Sequence, residues 1–410
     1  MHRFIRCHRT ITVAIAACST VVAGYSAPVQ IKHTTAATKQ SATEANSSAA
    51  QTKGPSLSSP AVANHHAADR LSVAMRLGDG ARFWKPTRRE IGIGYAPGGS
   101  NNSQSGHFLF RVDRLILRTY LEKISPYVHR LPRDAYPVVD LTKGIPPSSE
   151  QVPAKIVAER DGANLDVNAA VDLIQKDIET DPATVHIVLP LHVTPPEVTN
   201  ADLKGINART GYFVTHFNAH EVGRTQTVRR AISIIDGHVL EPGAVFSINR
   251  VVGERTAVRG FGMGQVFVDG KMAKQLGGGM CQVATTLFNA AMLADLKIME
   301  RHQHVRTVPY VPPGRDATVY WGQKDLKVMN DTGAPIYISY KTTATHAIVA
   351  LFGKYVPGRK VVLSGKHTRL AQRHFTGTFG RTVYYADGRV VKGPFYRSNY
   401  KWTPALDFNH

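Results

Sequence analysis

Three consecutive glycines, Gly277, Gly278 and Gly279, stand directly before a run that is apolar at helical spacing, so the chain must form a tight loop opening into a helix. Val283, Leu287, Phe288, Ala291 and Met292 recur at that spacing, and the segment to about Asp295 reads as an amphipathic helix with Cys281 in its first turn. Glycines permit tight or positive-φ conformations and leave no side chains in the way of an approaching substrate. The first-turn N–H groups of a helix lack internal partners and carry partial positive charge, which favours thiolate over thiol. A free cysteine is commonly a small buried hydrophobe. Here the glycines and nearby histidines favour a reactive thiol.

A cysteine nucleophile needs a base and a group that orients the base. Arg301-His302-Gln303-His304 follows the helix and reads as the entry to a strand. On a strand, His302 and His304 share a face, so both could approach the helix mouth while Gln303 points away. Asp316 is the nearest later acid that could orient a histidine, and Arg255, Arg301 and Arg315 could hold a substrate carboxylate. Cys281, His302 and His304 could also form a Cys-His-His zinc set. No fourth ligand is evident, so neither metal nor cofactor is expected.

Arg3, Arg6 and Arg9 precede an uncharged stretch from Thr10 to Ala27, the pattern of an export signal. Three fates of residues 1–27 are open: cleavage after Val22-Ala23-Gly24, acylation at Cys18, or retention as an anchor. The apolar run before Cys18 is short, which favours anchor or cleavage over lipidation. Cys7 and Cys18 belong to this segment, so Cys281 is the one thiol of the expected exported body and has no internal disulfide partner. The chain has 50 Lys and Arg against 30 Asp and Glu, a formal charge of +20. For an exported protein that charge points to anionic wall polymers or a membrane surface, not nucleic acid, and part of it simply solvates the surface.

Residues 28–68 are rich in Ala, Ser and Thr without apolar periodicity and read as a flexible linker. A first α+β module is expected over 69–207. It contains a helix carrying Val112, Leu115, Ile116, Thr119, Tyr120 and Ile124, a second helix capped by Asp166, and a strand at Val185–Leu189. Gly78-Asp79-Gly80 reads as a turn and Gly98–Gly106 as a loop, neither with the following helix that a phosphate-cradling loop needs. The second domain, 208–353, is expected to be β-rich around the cysteine-bearing helix. A helix capped by Thr225 or Thr227 precedes it, and strands at 305–311, 317–321, 336–340 and 347–352 follow. Residues 354–410 form a basic, aromatic extension with a hairpin around Ala386-Asp387-Gly388. The fold class is therefore α+β throughout.

The motifs Pro242-Gly243-Ala244-Val245-Phe246-Ser247-Ile248-Asn249, Gly253-Glu254-Arg255-Thr256, Gly277 to Gln282, Arg301 to His304, Tyr310-Val311-Pro312 and Gly314-Arg315-Asp316-Ala317 occur in that order. Together they resemble the VanW-domain family from about Thr225 to Gly353. Residues from Pro132-Arg133-Asp134-Ala135 to Leu203 resemble the peptidoglycan-binding module often found before that domain. The resemblance implies Cys281 as nucleophile, His304 as base with His302 behind it, and Asp316 as orienting acid. It adds Gln282 and Tyr310 to the glycines and arginines as substrate-binding positions.

The implied activity is that of a cysteine L,D-transpeptidase acting on peptidoglycan stem peptides, exported and held at the membrane or in the wall. A non-catalytic wall-binding scaffold and a cysteine peptidoglycan hydrolase or carboxypeptidase are the alternatives.

Overall fold

A computed structural model describes residues 70–96, 110–140, 150–268 and 271–402. The expected export segment 1–27, the linker 28–68 and the loop Gly98–Gly106 lie outside the described residues. Among the described residues no helix is long and apolar enough to cross a membrane. The described residues divide into two compact units, and the division is discontinuous in sequence: 134–140, 150–160, 196–268 and 271–402 group together, while 70–96 and 110–133 group with 161–195. The module expected over 69–207 therefore contributes 134–160 and 196–207 to the unit that holds the cysteine helix.

The smaller unit begins with β1 (Arg76–Gly78), β2 (Phe83–Trp84), β3 (Ile93–Tyr95), β4 (Phe110–Val112) and α1 (Arg114–Val128). The chain then passes through β5 (Tyr136–Val139) and β6 (Val152–Val157) of the larger unit and returns with β7 (Gly162–Leu165), α2 (Val167–Thr180), β8 (His186–Val188) and β9 (Leu191–Thr194). Asp113 and Asp166 cap the two helices, accepting from Leu115 and Ile116 N–H and from Ala169 N–H respectively. The buried face of α1 is Leu117, Leu121, Ile124 and Val128, whereas Leu115 and Ile116 are exposed. Both count toward the apolar spacing that predicts this helix, yet they lie outside its buried face, and Val112 belongs to β4. The Gly78-Asp79-Gly80 turn joins β1 to β2, with Asp79 accepting from Ala81 and Arg82 N–H.

The larger unit is built on a six-stranded antiparallel sheet in the order β11-β17-β18-β10-β6-β5. Its remaining strands are β10 (Ala208–His216), β11 (His238–Leu240), β17 (Ile336–Thr342) and β18 (His346–Gly353). Against it lie α3 (Val222–Ile235) and α5 (Met280–Leu293), with the short α4 (Ile248–Val252) between them in sequence. β12 (Val245–Ser247), β15 (Lys297–Glu300) and β16 (Lys327–Met329) form a three-stranded sheet, and β13 (Met263–Val268) with β14 (Lys271–Leu276) form a hairpin leading into the glycine run.

Two expected features differ. α5 is buried on all sides except at Cys281, because it lies between the main sheet and the segments that follow it, so its apolar residues do not form one stripe. Residues 305–311 and 317–321 form no regular strands; the only pairings there are single bridges, His302 with Thr318 and Tyr320 with Lys324. Pro309, Pro312 and Pro313 remove backbone donors that a ladder would require. α3 also starts a turn before Thr225 and Thr227, which are buried inside it.

The basic extension forms a three-stranded antiparallel sheet of β19 (Lys360–Ala371), β20 (His374–Tyr384) and β21 (Val390–Lys401), with the expected turn at Ala386–Gly388. One face joins the core: Phe379 is fully buried, with its ring edge-on to Phe288 of α5 at 5.8 Å, and buried Arg381 donates to the Leu296 carbonyl at 2.7 Å. The extension is therefore part of the larger unit. Phe379→Ala should destabilise that unit by about 3–5 kcal/mol, read by denaturant unfolding; an unchanged midpoint would mean that the sheet is an independent appendage.

Candidate active site

Cys281 is the second residue of α5, and the helix is opened by Gly279 in a left-handed conformation at φ 109°. A side chain there would be strained and would also meet Val228 at 2.9 Å. Gly278 packs on the β13 backbone, where a Cβ would lie 2.5 Å from the Gly264 Cα, and Gly277 rests on the Arg255 stem. The spaces beside Gly278 and Gly279 are thus filled by the protein's own backbone and side chains. Their role is close packing of loop, hairpin and α3, which positions the helix start; they do not clear a path for substrate. The Met280, Gln282 and Val283 N–H groups are taken by the Gly277 and Gly279 carbonyls. The Cys281 N–H has no backbone acceptor among these bonds.

The half-buried Cys281 thiol lies 3.2 Å from Thr318 Oγ1 and 3.5 Å from the Val319 carbonyl, and the neighbouring His304 ring acts on it electrostatically. His304 is 8% exposed and donates through Nδ1 to Asp316 Oδ2 at 2.7 Å, which leaves Nε2 for the sulfur. Its backbone N–H donates to the same oxygen at 2.7 Å. The other oxygen, Oδ1, accepts from Arg301 Nη2 at 3.0 Å and from the Tyr400 hydroxyl. Cys281, His304 and Asp316 therefore form a connected nucleophile, base and orienting acid.

Burial raises the Cys281 pKa, but the His304 charge and hydrogen bond, aided by Thr318 and Val319, lower it further, to about 7. Burial lowers that of His304, while the Cys281 charge and the Asp316 hydrogen bond raise it to about 9. Burial pushes the Asp316 carboxyl up; the His304 bond, the His304 and Arg301 charges and the Tyr400 bond outweigh it and hold the group below the usual range. Each charge stabilises the other, so the coupled pair is biased toward thiolate and imidazolium.

The other expected site residues divide. His302 is partly exposed and bound through Nε2 to Glu300 at 2.9 Å, away from the triad. The shared-face expectation fails because residues 301–304 make only one bridge and do not alternate as a strand would. Arg301 has a side chain only 4% exposed and is consumed by Asp316, the Gly314 carbonyl and Ser398, so it orients the acid and does not reach for substrate. Gln282 is buried; it donates to Thr215 Oγ1 and the His216 carbonyl and accepts from Arg224 at 2.6 Å. Arg315 lies over Phe379 at 4.9 Å.

Arg255 and Tyr310 stay beside the thiol. Burial is the main cause that lowers Arg255 to about 10, and the Cys281 charge acts on it in the opposite direction. Its guanidinium donates to Asn249 Oδ1 at 2.8 Å and sits 5.4 Å from the Trp321 ring, with Nη1 buried and unpartnered. Tyr310 is pushed well above its ordinary range by burial and by the Cys281 charge, and Arg224 lies 5.9 Å from its ring.

Sequence reasoning missed Thr318, Arg224 and Tyr400. The alternation of Tyr396, Ser398 and Tyr400 in the tail was the available signal for a buried strand face. The polar residues of α5 have partners that fix the acid: Thr285 accepts from Ala317 N–H and donates to its carbonyl, and Asn289 donates to the Arg315 carbonyl.

Alkylation of Cys281 by iodoacetamide, followed by mass, should rise through pH of about 7 and not near 9.0, since loss of the thiol proton creates the nucleophile. His304→Ala removes the lowering charge, so the midpoint moves up; a midpoint that stays put would refute the pairing. Asp316→Asn removes a raising influence on His304 and so weakens the imidazolium that lowers Cys281; the alkylation midpoint should again move up.

Residues 223–352 match the family profile described as VanW like protein. The chain is 41% identical over 162 residues to the uncharacterized protein YoaR of Bacillus subtilis, covering 39% of this chain and 54% of that protein. It is 30% identical over 132 residues to the vancomycin B-type resistance protein VanW of Enterococcus faecalis, covering 31% of this chain and 46% of that one. The matches thus span about half the length of these relatives. No solved structure is significantly similar to the chain. Helix α5, the Cys281–His304–Asp316 set and strands β11 to β17 fall inside the matched segment, which ends one residue short of the end of β18, and this chain carries a VanW-like domain over residues 223–352.

Proposed function

We propose that the chain is a cell-wall protein, exported and facing the wall, that acts as a cysteine L,D-transpeptidase on peptidoglycan stem peptides. The observation that carries this reading is the Cys281–His304–Asp316 set, in which the mutual charges and hydrogen bonds outweigh burial and favour a thiolate beside an imidazolium. Similarity to a vancomycin-resistance protein supports a wall role, and the peptidoglycan-binding assignment of the preceding module belongs to the same proposal.

In the first step the Cys281 thiolate attacks the carbonyl carbon of the third residue of a tetrapeptide stem. The developing oxyanion is met by the Cys281 N–H at the helix start. His304 gives its proton to the departing D-alanine nitrogen, and a thioester remains on the sulfur. In the second step a neighbouring stem's amine loses a proton to His304 and attacks the thioester, restoring the thiolate and forming a cross-link between third-position residues. Asp316, held by Arg301 and Tyr400, keeps the ring in one tautomer throughout.

The full chain and Cys281→Ala would be incubated with disaccharide tetrapeptides and read by intact-protein and product mass. Transpeptidation requires an acyl adduct on Cys281, D-alanine release and new dimers, all absent from Cys281→Ala. D-alanine release without dimers would make water the acceptor and the protein a carboxypeptidase. A folded native chain with no adduct and unchanged muropeptides would leave a wall-binding scaffold.

A further inference from the structure

The C-terminal sheet has a second face that catalysis does not use. From Lys354 to His410 the chain carries eleven Lys or Arg against Asp387 and Asp407, so +9 of its +20 lies in the last 57 residues. The sidedness follows from register. In the central strand β20, Phe379, Arg381 and Val383 are buried, which puts Thr376, Thr378 and Thr382 on the opposite face. Lys366 and Arg397 flank Thr378 from the two neighbouring strands, Lys392 pairs with Thr382, and Lys401 with His374. All four cations are exposed. Asp387, the single acid of the described sheet, sits in the β20–β21 turn and pairs with Arg389, so the face itself has no carboxylate.

Cations flanking one central strand are about 10 Å apart, two inter-strand spacings. That is close to the Debye length of roughly 8 Å at physiological salt, so their potentials overlap and a multivalent anion gains from several at once. Between them the threonine hydroxyls offer donors and acceptors. The Phe395 ring lies over Gly380, where a Cβ would be 3.0 Å from it, and it is 55% exposed as a flat apolar platform.

We propose that this face binds a linear polymer of phosphodiester-linked polyol or sugar units. The cations meet the phosphates, the hydroxyl row meets the polyol oxygens, and Phe395 packs on the carbon faces. A bilayer fits less well. Exposed Tyr384 and Val390 lie at one end of the sheet and Leu370 at the other, without the contiguous apolar area that interfacial insertion uses. Because Ser398 and Tyr400 of the same strand face the triad, a polymer held here would keep the thiol beside the wall.

The test measures binding of the full chain to a fluorescent poly(glycerol phosphate), with neutral dextran, phosphatidylglycerol vesicles and a single-stranded oligonucleotide as alternatives. Affinity should fall on the order of tenfold or more as salt rises from about 50 to about 300 mM. Lys366→Glu/Arg397→Glu should weaken binding at least about tenfold, whereas Lys176→Glu/Lys204→Glu, an equal change of net charge elsewhere on the surface, should change it less than about twofold. An unchanged pH midpoint of Cys281 alkylation verifies that each variant is folded. Native-like affinity of the first variant, equal losses in both, or tighter binding of vesicles or oligonucleotide than of the polymer would each overturn the proposal.

Discussion

The buried carboxylate of Asp316 holds the candidate site together. It is 1% exposed, and a charge taken from water into such a position is strongly destabilising unless it is fully paired. The protein supplies the His304 ring and backbone N–H, the Arg301 guanidinium and the Tyr400 hydroxyl. These come from the segment after β15 and from β21, far apart in sequence. Satisfying one charge therefore docks the C-terminal sheet, shapes the irregular segment around the histidines and fixes the imidazole that meets the thiol. The Tyr400 hydroxyl also accepts from Gly314 N–H at 2.7 Å, so the loop before the acid is held by the same residue.

The thiol is a contest between two effects. Burial at the start of a helix packed on all sides disfavours the thiolate, and the imidazolium across from it favours the thiolate more. Most of the polar groups of this buried helix are paired: Gln282 with β10, Thr285 and the Asn289 amide nitrogen with the backbone on either side of Asp316. One helix thus presents the nucleophile at its first turn and secures the acid two turns later. The glycines serve the same end, by letting the β13–β14 hairpin and α3 approach the helix start closely enough to leave the cysteine at its mouth.

The C-terminal sheet has two different surfaces. Its inner residues complete the core and the Cys281–His304–Asp316 set, and its outer face carries Lys366, Lys392, Arg397 and Lys401. Strand periodicity produces both from one stretch of sequence, since alternate residues face opposite ways.

The glycine run, the helix behind it, the cysteine in its first turn, the histidine motif, the hairpin of the tail and the strands β17 and β18 could be read from the chain, because each depends on local spacing or turn chemistry. The α+β class followed from the same periodicities. Local pattern could not say which of His302 and His304 meets the sulfur, since that choice needed strand alternation where prolines and side-chain bonds had replaced a ladder. Nor could it reveal that Arg301 serves Asp316 instead of a substrate, that Gln282 anchors Arg224, or that Tyr400 closes the site. Those roles are decided by buried polar groups seeking partners across long sequence separations, a constraint that exists only once the tertiary structure has excluded water from between them.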